Sequence, residues 1–93
     1  MRNNDGSRDR PVSQVQSVDR AMAILNMLAR LGEAGVTEIA HELDVHKSTA
    51  FRLVEALEVW QLVEQISERG RYRLGFGIVR LLKGRMPIVQ PGP

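Results

Sequence analysis

The sequence predicts a small, mainly α-helical domain closed by a β-hairpin: three helices, the hairpin and a short C-terminal helix. Three observations carry this expectation. Apolar residues recur at helical spacing as far as Leu57, and the period changes from 3.6 to 2 after Trp60. The chain has 93 residues, 43% of them apolar and 26% charged, which suits one modest core. Residues 1–14, MRNNDGSRDRPVSQ, are polar, are punctuated by Gly6 and Pro11 and lack an apolar period, so they read as a disordered arm. Residues 83–93 form a tail rich in Pro and Gly that cannot continue a helix. The domain is expected over residues 15–82.

In the first helix Ser17 is placed as the N-cap, with Asp19 in the first turn where the helix dipole favours an acid. Val18, Ala21, Ile24, Leu25, Leu28 and Leu31 follow the helical period, and Gly32 stops it. Met22 and Met27 widen the apolar surface beyond one stripe, which leaves a face for a partner and points to a homodimer through this helix. Thr37 is placed as the N-cap of a short second helix whose inward edge is Ile39, Ala40 and Leu43. After only Asp44, Val45 and His46 a third helix begins near Lys47, with Ala50, Leu53, Val54 and Leu57 inward. Leu62 to Ile66, a turn at Ser67 to Gly70, and Arg71 to Leu74 form the hairpin, with Tyr72 and Leu74 facing the core and Arg71 and Arg73 outward. A last helix over residues 76–82 is expected to add Ile78, Val79 and Leu82 to the packing, and Trp60 to close the core.

Helix, helix, tight turn, helix and an arginine-bearing hairpin is the order of a winged helix-turn-helix. Ala40 supplies the small residue that the close crossing of the second helix over the first needs. Asp44 can take the left-handed backbone of the turn, and Val45 plugs the space between the helices. The third helix, over about residues 47–59, turns Lys47, Ser48, Thr49, Phe51, Arg52 and Glu55 outward. Lys47, Ser48 and Thr49 stand at a helix N-terminus, where free N–H groups favour phosphate, and Arg52 can reach the O6/N7 edge of guanine. Phe51 is an exposed aromatic that a thymine methyl would cover. In the wing, over about residues 62–74, Arg69 and Arg71 are candidate contacts to the DNA backbone or minor groove.

Charge distribution agrees. Residues 1–10 carry a net +1, residues 11–66 a net −4 and residues 67–93 a net +5 within an overall +2. One face can therefore meet a polyanion. The absence of cysteine excludes disulfides and thiol-rich zinc sites, and His41 and His46 stand five apart, off the spacing that would let one helix offer both to a metal. No nucleophile with a base, paired acid or glycine-rich phosphate loop is present, so neither an enzyme nor a cofactor is expected. Glu38 and Glu42 read as a solvated face. No apolar run approaches the roughly 18 residues of a membrane span and no signal peptide is visible, which places the chain in the cytoplasm.

The run VQSVDRAMAILNMLARLGEAGVTEIAHELDVHKSTAFRLVEALEVWQLVEQ, followed by RYRLG, resembles the N-terminal DNA-binding domain of IclR-family bacterial transcriptional regulators over about residues 15–82. Its most selective pieces are VQSVDRA, KSTAFRLVEAL and YRLG. The resemblance implies a domain that binds double-stranded operator DNA as a dimer, through Lys47, Ser48, Thr49 and Arg52, with Arg71 on the wing and Arg20 and Thr37 at helix starts near backbone phosphate. Asp44 stands where the family usually has Gly, and His46 where it often has Pro. The run after LLKG departs from the family's linker helix, and the effector domain, with its small-molecule pocket, is expected to be absent from this chain. The rival reading is a winged-helix protein-interaction module that uses the first helix, Phe51 and Trp60 as apolar anchors.

Overall fold

The computed structural model describes residues 15–67 and 70–84. The N-terminal arm, Arg69 and most of the expected tail lie outside the described residues. In chain order the elements are α1 (Gln16–Leu31), β1 (Ala34–Gly35), α2 (Val36–Leu43), α3 (Lys47–Val59), β2 (Val63–Ser67), β3 (Arg71–Leu74) and α4 (Gly77–Lys83). The mainly helical class and the hairpin agree with the sequence reading. None of these helices is long and apolar enough to cross a membrane.

Helix α1 begins before Ser17: the carbonyl of Val15 accepts the N–H of Val18 at 3.1 Å and of Asp19 at 3.2 Å, so Ser17 lies inside the first turn and does not cap it. Gly32, at φ 91°, ends the helix and donates its N–H to Leu28 O at 2.8 Å. Thr37 is likewise inside the first turn of α2 and is not its cap. Strand pairing keeps Ala34 and Gly35 extended up to the helix start, and Gly35 occupies the cap position. Its N–H is satisfied by the carboxylate of Glu38, three residues ahead, at 2.8 Å, the reach-back half of a capping box.

Asp44 takes the left-handed backbone expected of it, at φ 58° and ψ 50°. Asp44 N donates to His41 O and Val45 N to Ala40 O, the paired bonds that close a helix through a left-handed residue. We expect Asp44→Val to cost about 1–2 kcal/mol in urea unfolding, because a β-branched side chain resists positive φ. Asp44→Gly should leave the midpoint within about 0.5 kcal/mol of the parent, with the relief of strain set against extra freedom in the unfolded chain. His46, extended at φ −72° and ψ 155°, precedes α3 without a side-chain cap.

The core lies between α1, α2, α3 and one face of the sheet. Ile24, Leu28, Ile39, Val54 and Val63 are its largest fully buried side chains, with Met27, Ala40, Ala50, Leu57 and Tyr72 around them. Burial of each large aliphatic contributes about 1.5–3 kcal/mol. Met27 therefore belongs to the core, while Val18, Met22 and Leu31 remain exposed. Ala40 is buried in the core, and Leu53 and Val45 pack on it from its edge.

The sheet has three strands in the order β1-β3-β2, all antiparallel. Its third strand, β1, is only two residues long, pairing Ala34 with Tyr72 and Gly35 with Arg71; so short a segment leaves no alternation to read in the sequence. A bulge lies between Gln65 and Ser67, just before the turn. Tyr72 is buried and Arg73 exposed, as the alternation predicts.

The C-terminal packing departs from expectation. Trp60 is 69% exposed and closes no core, because α3 ends in a tight reversal that turns it outward. Gln61 adopts φ 62° there, Gln61 N donates to Glu58 O and Leu62 N to Leu57 O. In α4, Leu82 is 81% exposed and Val79 is also on the surface. The two buried positions at its start are glycines, Gly75 and Gly77, so α4 docks by backbone against the α3–β2 turn, with Ile78 half-buried and Val79, Leu81 and Leu82 left out.

Candidate nucleic-acid interface

Helix α3 exposes Lys47, Ser48, Phe51, Arg52 and Glu55. Ser48, Arg52, Glu55 and Val59 run along the centre of its outer face at i, i+3/i+4 spacing, while Lys47 and Phe51 sit on the flank nearest α2 and the wing. Thr49 is half-buried at the opposite flank. Lys47 and Arg52 have no ion pair among the described residues.

Between the start of α2, the start of α3 and the base of the wing lies an open groove of about 730 Å³. It is lined by Gly35, Val36, Thr37, Glu38, Lys47, Ser48, Phe51, Gly70 and Arg71. The fold thus gathers Thr37, Lys47, Ser48, Phe51 and Arg71, five candidates drawn from three separate stretches of sequence. Phe51, 44% exposed, supplies the apolar part of the wall. Arg52 lies outside this groove, beside Glu55, Ala56, Glu58 and Val59. Arg20, half-buried on α1, is not part of the lining.

The two described wing arginines, Arg71 and Arg73, are not free cations. Arg71 Nε donates to Glu33 Oε1 at 2.7 Å and Nη1 to Glu38 Oε1 at 3.2 Å, and Arg73 Nε donates to Glu64 Oε2 at 2.6 Å, its partner directly across the hairpin. Glu38 is therefore no bystander on a solvated face. Its position three residues after Gly35 is the sequence signal that could have revealed it. Glu42 pairs with Arg30 at 3.1 Å and ties α2 to α1. Arg80 bonds Gln61 and lies 5.9 Å from the centre of the Phe76 ring.

These contacts shift titrations. The Gly35 N–H holds the Glu38 carboxyl below the usual carboxylate range, opposed by partial desolvation and helped by Arg71. Glu33 raises Arg71 further above its already high value, again against desolvation and with Glu38 assisting. Burial pushes the Tyr72 hydroxyl up, and Glu58 and Glu55 add to it. A depressed carboxylate contributes stability that is present above the unfolded value and lost as pH falls through the folded one. Between neutral and acid pH we expect Glu38→Gln to lose less stability than the parent, and melting curves taken across that range check this; parallel losses would remove Glu38 from the linkage.

The IclR helix-turn-helix domain family matches residues 17–67, the span that runs from α1 to the end of β2. The chain belongs to that family. Similar regulators include the glycerol operon regulatory protein of Streptomyces coelicolor, 41% identical over 69 residues, and the transcriptional repressor AllR of Escherichia coli K12, 37% identical over 71 residues. The match takes in 72% and 73% of this chain but only 27% and 26% of those proteins, so the chain spans about a quarter of their length. Among solved structures, the IclR regulator of Alicyclobacillus acidocaldarius superposes with a TM-score of 0.69 at 35% identity, over 74% of this chain and 28% of that one. The IclR-family regulator of Brucella abortus gives 0.67 at 27% identity, over 87% and 31%. Membership of a helix-turn-helix family of transcriptional regulators supports DNA binding in the service of transcription regulation, and no enzyme is among these relatives.

Proposed function

We propose that this IclR-type domain binds double-stranded DNA sequence-specifically, with α3 in the major groove and the wing beside the backbone or the adjacent minor groove. The observation that carries the reading is the convergence of Thr37, Lys47, Ser48 and Phe51 on one open groove that continues onto the exposed face of α3. Lys47 and the first N–H groups of α3 suit a phosphate, Arg52 suits a guanine edge, and Phe51 suits a thymine methyl. Thr49, half-buried, and Arg20, away from the groove, fit at most peripheral backbone contacts. No cofactor, metal or small-molecule effector enters this reading. Two copies would read a palindrome, and the exposed Val15, Val18 and Met22 on one side of α1 suit a homodimer contact.

The test is titration of the chain against a random duplex pool at several salt concentrations, with sequencing of the retained fraction. A recurring half-site whose affinity falls steeply with salt is the expected result, each neutralised phosphate contributing about −0.9 to the slope of log K on log salt. A second reading, an assembly surface, is favoured by the exposed Val59, Trp60, Phe76, Leu81 and Leu82. It predicts association that persists as salt rises and no retained DNA at any salt.

A further inference from the structure

Arg71 borders the groove yet is already engaged. Its Nε and Nη1 reach two different carboxylates, Glu33 in the α1–β1 connection and Glu38 in the first turn of α2. The Glu38 oxygen that takes Nη1 also takes the Gly35 N–H, so a single atom joins the wing to the amide that opens α2. The backbone attachment beside it is slight: β3 pairs with β1 at two positions only. Among the described residues, one positive charge faces two negative ones around the guanidinium, which disfavours a phosphate there, whereas Lys47, on the same groove, has no carboxylate partner among them.

We propose that Arg71 is a positioning residue rather than a phosphate contact: by bridging Glu33 and Glu38 it clamps the wing to the start of α2 and sets how far the wing stands from α3. The proposal rests on the DNA-binding reading for its consequence but not for the clamp itself. Fork geometry is what the bridge uses. A guanidinium can address two carboxylates along separate N–H directions, and an ammonium is a point charge on a flexible stem. Arg71→Lys therefore separates the possibilities, since it keeps the charge that a phosphate would need and loses the bridge that the clamp needs.

The experiment uses the full chain as parent, Arg71→Ala and Arg71→Lys, with two readouts. Amide hydrogen exchange without DNA is expected to speed up about twofold to fivefold at Ala34, Gly35 and the start of β3 in both variants, the range that an exposed ion pair allows. α1 amides should be unchanged. In the DNA titration both variants are expected to lose about threefold to tenfold in affinity for the selected duplex, roughly the cost of a small misplacement of the reading surface. Random-sequence affinity at low salt and the salt slope should stay those of the parent, whereas unfolding would lower both affinities together. Unchanged exchange in both variants overturns the clamp. So does a salt slope that shrinks by about 0.9 in Arg71→Ala and returns in Arg71→Lys, because that is the signature of a lost phosphate. If the parent itself retains no duplex, the DNA reading fails separately and the exchange result still decides the clamp.

Discussion

Gly77→Ala is expected to destabilise the domain by about 1–3 kcal/mol, the range for a side chain forced into occupied space. A Cβ at Gly77 would stand 2.6 Å from Gln61 O and 2.8 Å from Trp60 O, and one at Gly75 would stand 2.5 Å from Gln61 O. These are backbone atoms that cannot swing aside. The carbonyl of Gln61 already accepts the Gly77 N–H at 2.8 Å, and Leu62 O accepts the Gly75 N–H at 2.8 Å, so relief would break the bonds that seat α4. Gln61 is itself held at positive φ, where non-glycine residues carry strain. For a domain of this size each kcal/mol lowers the melting temperature by about 4–8 °C. Thermal and urea unfolding of Gly75→Ala and Gly77→Ala check the expectation, and melting indistinguishable from the parent would show that the turn yields. Gly70→Ala is the comparison: nothing lies within 4 Å of its Cβ, so only the backbone strain at φ 81° remains.

Arg52→Ala is expected to lose about 1–3 kcal/mol on the preferred duplex and to relax selection at one base position. Its side chain is exposed on the outer face of α3 and free of ion pairs among the described residues. Neither a competing carboxylate contact nor a change in packing therefore has to be subtracted. Selection from a random pool, parent against variant, reads the effect. An equal loss on every sequence with a flatter salt slope would assign Arg52 to phosphate, and no loss would take the centre of α3 out of the interface.

Much of the fold was legible in the sequence because helix periodicity is local. The buried Ile24 and Leu28 of α1, the inward set of α3, the stop at Gly32, the left-handed turn at Asp44 and the alternation of β3 depend on residues within a few positions of one another. The ends of the α1 set, Val18 and Leu31, are instead exposed. Composition and spacing likewise made Lys47, Ser48, Phe51 and Arg52 candidates from one helix face. The misplaced caps at Ser17 and Thr37 came from reading side-chain preference where the neighbouring backbone decided: Val15 supplied a carbonyl, and strand pairing carried Gly35 to the helix start.

Other features required the tertiary structure. β1 exists only because Ala34 and Gly35 find β3, far along the chain. Trp60 and Leu82 lie outside because a reversal at Gln61 and two glycines let backbone occupy the space where apolar side chains were expected. The wing's charge was visible as a count of arginines, yet its distribution depends on partners: Arg71 is 38 positions from Glu33 and 33 from Glu38. By itself, then, the sequence determined a winged helix-turn-helix and a third helix with an exposed polar face, because both are written in short-range periodicity and local turn chemistry. Which cations remain free and how the wing is held were decided by the tertiary structure, because ion pairing and close backbone approach depend on distances that only the folded chain creates.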